Sequence, residues 1–238
     1  MISSVSQIGF DRFIQLDWAT AALRVRAGIA TIDGLTELLD ESHAGLAAKK
    51  KTRTVLNRLW LEPRQDLEQF ADRGVHIYRQ EPGTSIPALT WGMAIATYPF
   101  FGKVAEIVGR LTALQGDCTS VEVHRRMAEI YGEREGTRRM TNMVLQSQAN
   151  WGAIERMNQG KRIVRSNAID LHGSAVAAWL IEACLRNAGH DLNVASIDSA
   201  PVIYPFTLGG STAYVLSMSR ALEMRADSAG NRVIGLAN

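Results

Sequence analysis

Four side chains suited to reading a base edge recur along one stretch of this sequence: Arg138, Arg139, Asn142 and Gln146. Their spacing puts them on one face of a helix. Arginine offers paired donors that match the two acceptors of a guanine edge, while Asn and Gln carry the donor–acceptor pair that matches adenine. Just downstream, Arg156, Lys161, Arg162 and Arg165 gather about the turn Asn158-Gln159-Gly160. Cations in such a cluster suit phosphate contact or insertion into a minor groove. A third basic group, Lys49, Lys50, Lys51 and Arg53, stands far upstream. An exposed helix is polar in any case, so these residue types must be weighed with the elements that carry them.

The net charge of +2 conceals strong segregation. Residues 49–64 hold six basic and one acidic residue, and residues 134–165 hold seven basic and two acidic, a net of +5 in each. The body around them is faintly acidic. Two basic blocks on such a body are the footprint expected for a polyanion. Solvated faces are the plainer account of the same charges.

No comparable constellation supports catalysis. The five histidines, His43, His76, His124, His172 and His190, are scattered, without HExxH or His/Cys metal spacing. His124 reads as a surface or backbone-facing residue. Neither GxxxxGK[ST] nor GxGxxG occurs, and GxSxG is absent too. Gly209-Gly210-Ser211-Thr212 has the composition of an anion-holding helix start, but a simple N-cap explains it as well. The expectation is a protein that is not an enzyme and takes no metal or cofactor. Cys118 and Cys184 are too few for a disulfide framework and point to a reducing, cytoplasmic setting. The opening residues lack a basic-then-apolar secretory pattern. The most apolar window, 88–101, is interrupted by Pro99 and too short to span a bilayer, so no membrane role is expected.

The candidate residues require particular elements to hold them. Leu89 to Leu114 is an apolar-striped helical region bent at Pro99, with Val104, Ile107, Val108, Leu111 and Leu114 on one face. Thr119, followed three residues later by Glu122, predicts a capping box. The helix it opens buries Val123, Met127, Ile130 and Tyr131 and stops at Gly132. Thr137 is the expected N-cap of the next helix, Thr137 to Asn150, with Met140, Met143, Val144 and Ser147 inward. Trp151 to Met157 and Lys161 to Val164 then form a β-hairpin. A helix, a second helix with arginines at its start, and a basic hairpin in that order resemble the winged helix-turn-helix superfamily of DNA-binding domains. That resemblance covers about residues 100–166. It implies that the N-terminal part of the second helix enters the major groove and that the hairpin lies along the backbone.

Upstream, the pattern predicts helices at Asp11 to Arg26, Thr31 to Leu39, Ala44 to Trp60 and Arg64 to Arg73, the last stopped at Gly74. The Pro/Gly-marked stretch 80–87 is the expected boundary of an N-terminal helical domain, residues 1–80. Downstream, residues 170–238 carry an apolar helix from Gly173 to Asn187. Short helices at 194–199 and 211–219 follow, then a hairpin from Ala221 to Ala237. That ordering is compatible with a second, degenerate winged module, whose hairpin (Arg225 and Arg232 against Glu223 and Asp227) suits packing or dimerisation better than DNA. The fold class expected is therefore mainly α with small β-hairpin wings.

Taken together, the modules resemble the small BrxA-type accessory proteins of bacterial phage-defence (BREX) clusters. This resemblance implies an auxiliary double-stranded DNA-binding subunit, working beside other protein subunits or a homodimer partner. A sequence-specific transcriptional regulator and a protein–protein adaptor built on winged modules are the two alternatives.

Overall fold

The computed structural model describes residues 9–42, 45–171, 175–210 and 212–237. His43 and His172 lie outside them, as do the expected helix starts at Ala44, Gly173 and Ser211.

The chain is mainly helical with small sheets. Four helices come first: α1 (Leu16–Arg26), α2 (Ile32–Ser42), α3 (Leu46–Leu56), which runs on into a π-helical turn at Asn57–Leu61, and α4 (Glu68–Gln80). Residues 11–15, expected as helix, are not helical, and α1 begins only at Leu16. The expected stop at Gly74 is overturned: α4 runs through it. A Cβ there would come within 3.0 Å of Trp179 Cζ2, so the glycine serves helix packing instead of a C-cap. Leu46, the first residue of α3, is exposed, while Thr52 is buried.

Two long helices lead into the central unit. In α5 (Ile86–Thr97) the Ser85 hydroxyl accepts from the Ala88 amide, and Pro87 fits the first turn where no intrahelical donor is needed. Pro99 then opens α6 (Pro99–Gln115), which ends at Gly116 with φ +85°, the left-handed conformation that favours glycine. Leu114 projects beyond the core and is exposed. A short strand that the sequence pattern did not reveal, β1 (Asp117–Thr119), comes next, followed by α7 (Ser120–Tyr131) and α8 (Glu135–Asn150). The hairpin of β2 (Ile154–Met157) and β3 (Arg162–Arg165) completes the unit. Because β1 pairs with β3, the sheet has three antiparallel strands in the order β1–β3–β2.

The remainder repeats that order. After β4 (Ile169–Asp170) come α9 (Ala175–Ala188), β5 (Leu192–Asn193), α10 (Val194–Ile197) and β6 (Phe206–Thr207). Next are α11 (Thr212–Ser217), β7 (Leu222–Ala226) and β8 (Arg232–Leu236). The sheet order β5–β8–β7 matches β1–β3–β2 position for position. In each unit the last residue of the first strand also caps the following helix, Thr119 in one and Asn193 in the other. The second unit differs in its short helices and in the parallel β4–β6 pair.

One apolar core runs from Phe10 to Ile234. Trp179 of α9 stacks on Phe70 at 4.2 Å, donates its indole N–H to the Phe70 carbonyl (2.9 Å), and presses on Gly74 and Gly92. A second aromatic group joins Phe10, Trp91, Phe101, Trp151 and Tyr204. The carboxylate of Glu182, nearly sealed from solvent, accepts from Arg73 and Arg186. No described helix is long and apolar enough to cross a membrane.

Candidate nucleic-acid interface

The capping box that orients α7 is complete. The Glu122 amide donates to Thr119 Oγ1 (3.1 Å), and the Thr119 amide donates back to Glu122 Oε2 (2.7 Å). The bonds that the Thr119 amide and hydroxyl donate to the half-buried Glu122 carboxylate hold it below the usual carboxylate range. Val123 and Met127 are buried, but Ile130 is exposed and Tyr131 half-buried, because the core contracts toward the end of α7.

Helix α8 starts two residues before the expected cap. Arg134 occupies the N-cap without a side-chain bond, and Thr137 is instead buried inside the first turn. The inward stripe is Thr137, Thr141, Val144, Leu145 and Gln148, together with Ser147; Met140 and Met143 are only half-buried. The far end of α8 is tied down by the N-terminal segment. The Ile14 amide donates to Ser147 Oγ (2.9 Å), the Leu16 amide to Asn150 Oδ1 (2.7 Å), and Trp151 returns its indole N–H to the Ile14 carbonyl (2.9 Å). The start of α8 is left facing outward.

On that outward face, Arg138, Arg139 and Gln146 are exposed and Asn142 is half-buried. Neither arginine forms an ion pair among the described residues. Asn142 lies near the half-buried His124 of α7, whose Nδ1 is sealed off without a partner. Burial pushes the His124 pKa below its usual value of 6.5, with the Asn142 amide opposing that shift and Arg138 and Arg156 adding to it by repulsion. A shallow cavity of about 680 Å³ lies at the α7–α8 turn, lined among others by His124, Arg125, Thr137 and Arg138.

The four hairpin cations part company. Lys161 at the tip is exposed and makes no ion pair among the described residues. Arg162 is exposed but paired with Asp117 at 2.5 Å. Arg156 is half-buried: its guanidinium lies beneath Gly160, and its Nε is sealed off without a partner. The turn above it runs through three left-handed residues, Asn158, Gln159 and Gly160. Arg165 does not fit the phosphate contact expected of it. Its guanidinium turns inward to the Gly109 carbonyl and the Thr112 hydroxyl and sits 5.2 Å over the Tyr204 ring. A strand residue adjoining two units has more to gain from those internal acceptors than from solvent.

The upstream basic group divides as well. Lys50 and Lys51 are exposed, whereas Lys49 pairs with Asp40, and Arg53 donates to Asn57 Oδ1 (2.8 Å) and Thr36. In the second unit, Arg225 is held by Asp191, Glu223 and the Leu236 carbonyl, while Arg232 is exposed. Tyr214, Met218 and Met224 of this unit are exposed.

No group of three or more His, Cys, Asp or Glu able to hold a metal stands together among the described residues. Both thiols are buried, and desolvation pushes Cys118 and Cys184 up to about 12, which leaves them protonated and unreactive. His124, read from the sequence as a surface or backbone-facing residue, is half-buried with its Nδ1 sealed off without a partner, because elements distant in sequence close over it. Sequence reasoning missed β1 because three residues carry no periodicity. No protein-family model, curated protein or solved structure matches the chain.

Proposed function

We propose that this chain binds double-stranded DNA through a winged helix-turn-helix over about residues 99–165, as a non-enzymatic accessory subunit of a bacterial phage-defence system. The observation that carries the reading is the pairing of two exposed features. The start of α8 bears Arg138 and Arg139, and the hairpin tip bears Lys161, all without internal ion partners among the described residues. Supporting it, the elements α6, β1, α7, α8, β2 and β3 follow one another in the order such modules use, with the strand order β1–β3–β2. In that arrangement the second helix of the pair enters the major groove and the hairpin meets the flanking backbone. Arg138, Arg139, Asn142 and Gln146 then face base edges, and Lys161, Arg162, Lys50 and Lys51 supply phosphate contacts. The link to BrxA-type proteins rests on module order alone: a helical N-terminal part, a basic winged unit, and a second unit of the same strand order.

The second unit favours a protein partner over DNA, because it exposes Tyr214, Met218 and Met224 and its Arg225 is internally neutralised. A further subunit or a second copy of this chain fits those side chains.

The test is a charge reversal. Arg138→Glu with Lys161→Glu is expected to weaken binding to every duplex while leaving the melting temperature unchanged, since both side chains are exposed and unpaired. Undiminished affinity in that double variant would remove the winged unit from the contact surface. A sequence-specific regulator would reveal itself by binding one duplex about a thousandfold or more above random DNA.

A further inference from the structure

The sheet β5–β8–β7 leaves β7 at an open edge. Which of its backbone groups face that edge follows from the ladder with β8. The Asp227 amide donates to the Asn231 carbonyl and the Ala237 amide to the Ala221 carbonyl, both at 2.9 Å. In an antiparallel pair, residues that exchange such bonds alternate with residues that do not. Ala221, Glu223, Arg225 and Asp227 therefore bond toward β8, and Leu222, Met224 and Ala226 turn their amides and carbonyls to the open side. The backbone of Met224 and of Ala226 finds no partner there among the described residues, and both residues are exposed. An edge of this kind is a template for a further strand.

The side chains specify which strand. Glu223 and Arg225 share one face of β7, with Met224 between them on the other. When a second β7 lies antiparallel with Met224 opposite Met224, a two-fold axis sets each Glu223 opposite the partner's Arg225. Opposite charges facing across strands stabilise a pair, and like charges destabilise it. Moving the axis to Glu223 or to Arg225 opposes that charge with its own kind, so the Met224 register is selected. Both side chains keep exposed surface for the contact, although Arg225 already pairs with Glu223 at 2.9 Å in its own chain. Each Glu223 carboxylate then lies between two guanidiniums, while Asp191, 3.8 Å from Arg225, balances the charge. The edge strand of the first unit, β2, offers no equivalent, because Glu155 and Arg156 are adjacent and face opposite sides. We propose that the β7 edge is a self-complementary interface that joins two copies of this chain sheet to sheet, in the register Met224 to Met224. This rests on the reading of the second unit as a protein-binding surface, and it names the partner and the register. It does not depend on DNA binding by the first unit.

The experiment is sedimentation velocity of the full chain over a rising concentration series, with hydrogen exchange followed along β7. Wild type is expected to pass from monomer to dimer. The Met224 and Ala226 amides should slow in exchange as it does, while those of Glu223 and Arg225, already bonded to β8, stay unchanged. Met224→Pro removes an amide hydrogen that points to the open edge, a place where an edge strand tolerates proline. It should abolish the dimer and keep the melting transition. Glu223→Arg and Arg225→Glu each oppose like charges, so each alone should remain monomeric. Mixed together, the two variants set opposite charges face to face at both positions and should associate. That rescue keeps the test decisive if the proline variant does not fold. Wild type that stays monomeric at every concentration overturns the proposal, as does a failure of the two charge variants to associate on mixing. A dimer kept in Met224→Pro but lost in Tyr214→Glu/Met218→Glu overturns the strand pairing alone and leaves the second unit as the interface. A dimer kept in both overturns that reading of the second unit as well.

Discussion

At the scale of single residues, exposure and internal partners separate cations that look alike in sequence. Lys161 at the tip and Arg165 at the base lie on the same arm of the hairpin, yet Arg165 is engaged with Gly109, Thr112 and Tyr204 while Lys161 is exposed and makes no ion pair among the described residues. Arg165→Met should therefore destabilise the protein by about 1–3 kcal/mol, the range for stranding buried partners of a charged group. DNA affinity should change little, whereas Lys161→Met should do the reverse. Thermal melting beside a duplex titration separates them, and equal effects on both properties would contradict this assignment. His124 supplies a pH dependence. Its native pKa lies below 6.5, so below that pH the unfolded chain holds more protons and stability falls as acid is added. The contribution is complete above pH 6.5 and is lost progressively as pH drops through the native value. Urea unfolding between pH 5 and pH 8 should show a shallower decline in His124→Gln than in wild type; parallel curves would count against the burial argument.

At the scale of elements, most of what local chemistry can specify was legible. The Thr119/Glu122 box, the Pro99 break, the Asn158-Gln159-Gly160 turn and the C-terminal hairpin each follow from residues within one turn of each other. What escaped was fixed by distant partners. Gly74 reads as a stop but lies inside α4 because Trp179 needs the room, and Thr137 reads as a cap but is drawn into the core. The strand β1 exists only because β3, more than forty residues later, pairs with it. The candidate site follows the same rule: the outer face of α8 was readable from spacing, whereas the half-burial of His124 and the inward turn of Arg165 were not. Two predictions belong here. Thr119→Ala should cost about 1 kcal/mol by loss of the cap. Gly92→Ala should cost about 1–3 kcal/mol through overpacking, since its Cβ would come within 2.2 Å of Trp179 Cζ3. Chemical denaturation measures both, and a neutral Gly92→Ala would mean that α5 and α9 are not pressed together as described.

At the scale of the whole molecule, two units with the same strand order share one core with the N-terminal helices. Residues 9–16 and the end of α8 are joined by three hydrogen bonds, so the orientation of the outward face depends on the helices that precede it. The two units differ in what they expose, unpaired cations on the first and the apolar side chains of Tyr214, Met218 and Met224 on the second. The central claim is that the first unit meets the phosphate backbone of duplex DNA. Its most direct measurement is the affinity for a random duplex across a series of salt concentrations, in wild type and in the Arg138→Glu/Lys161→Glu variant. Wild type is expected to lose affinity with a slope of about −3 or steeper in log K against log salt, as release of counterions from several phosphates requires. The variant should show a slope shallower by about 2, one unit for each contact removed. Identical slopes in the two proteins, or no binding by wild type at low salt, would contradict the claim.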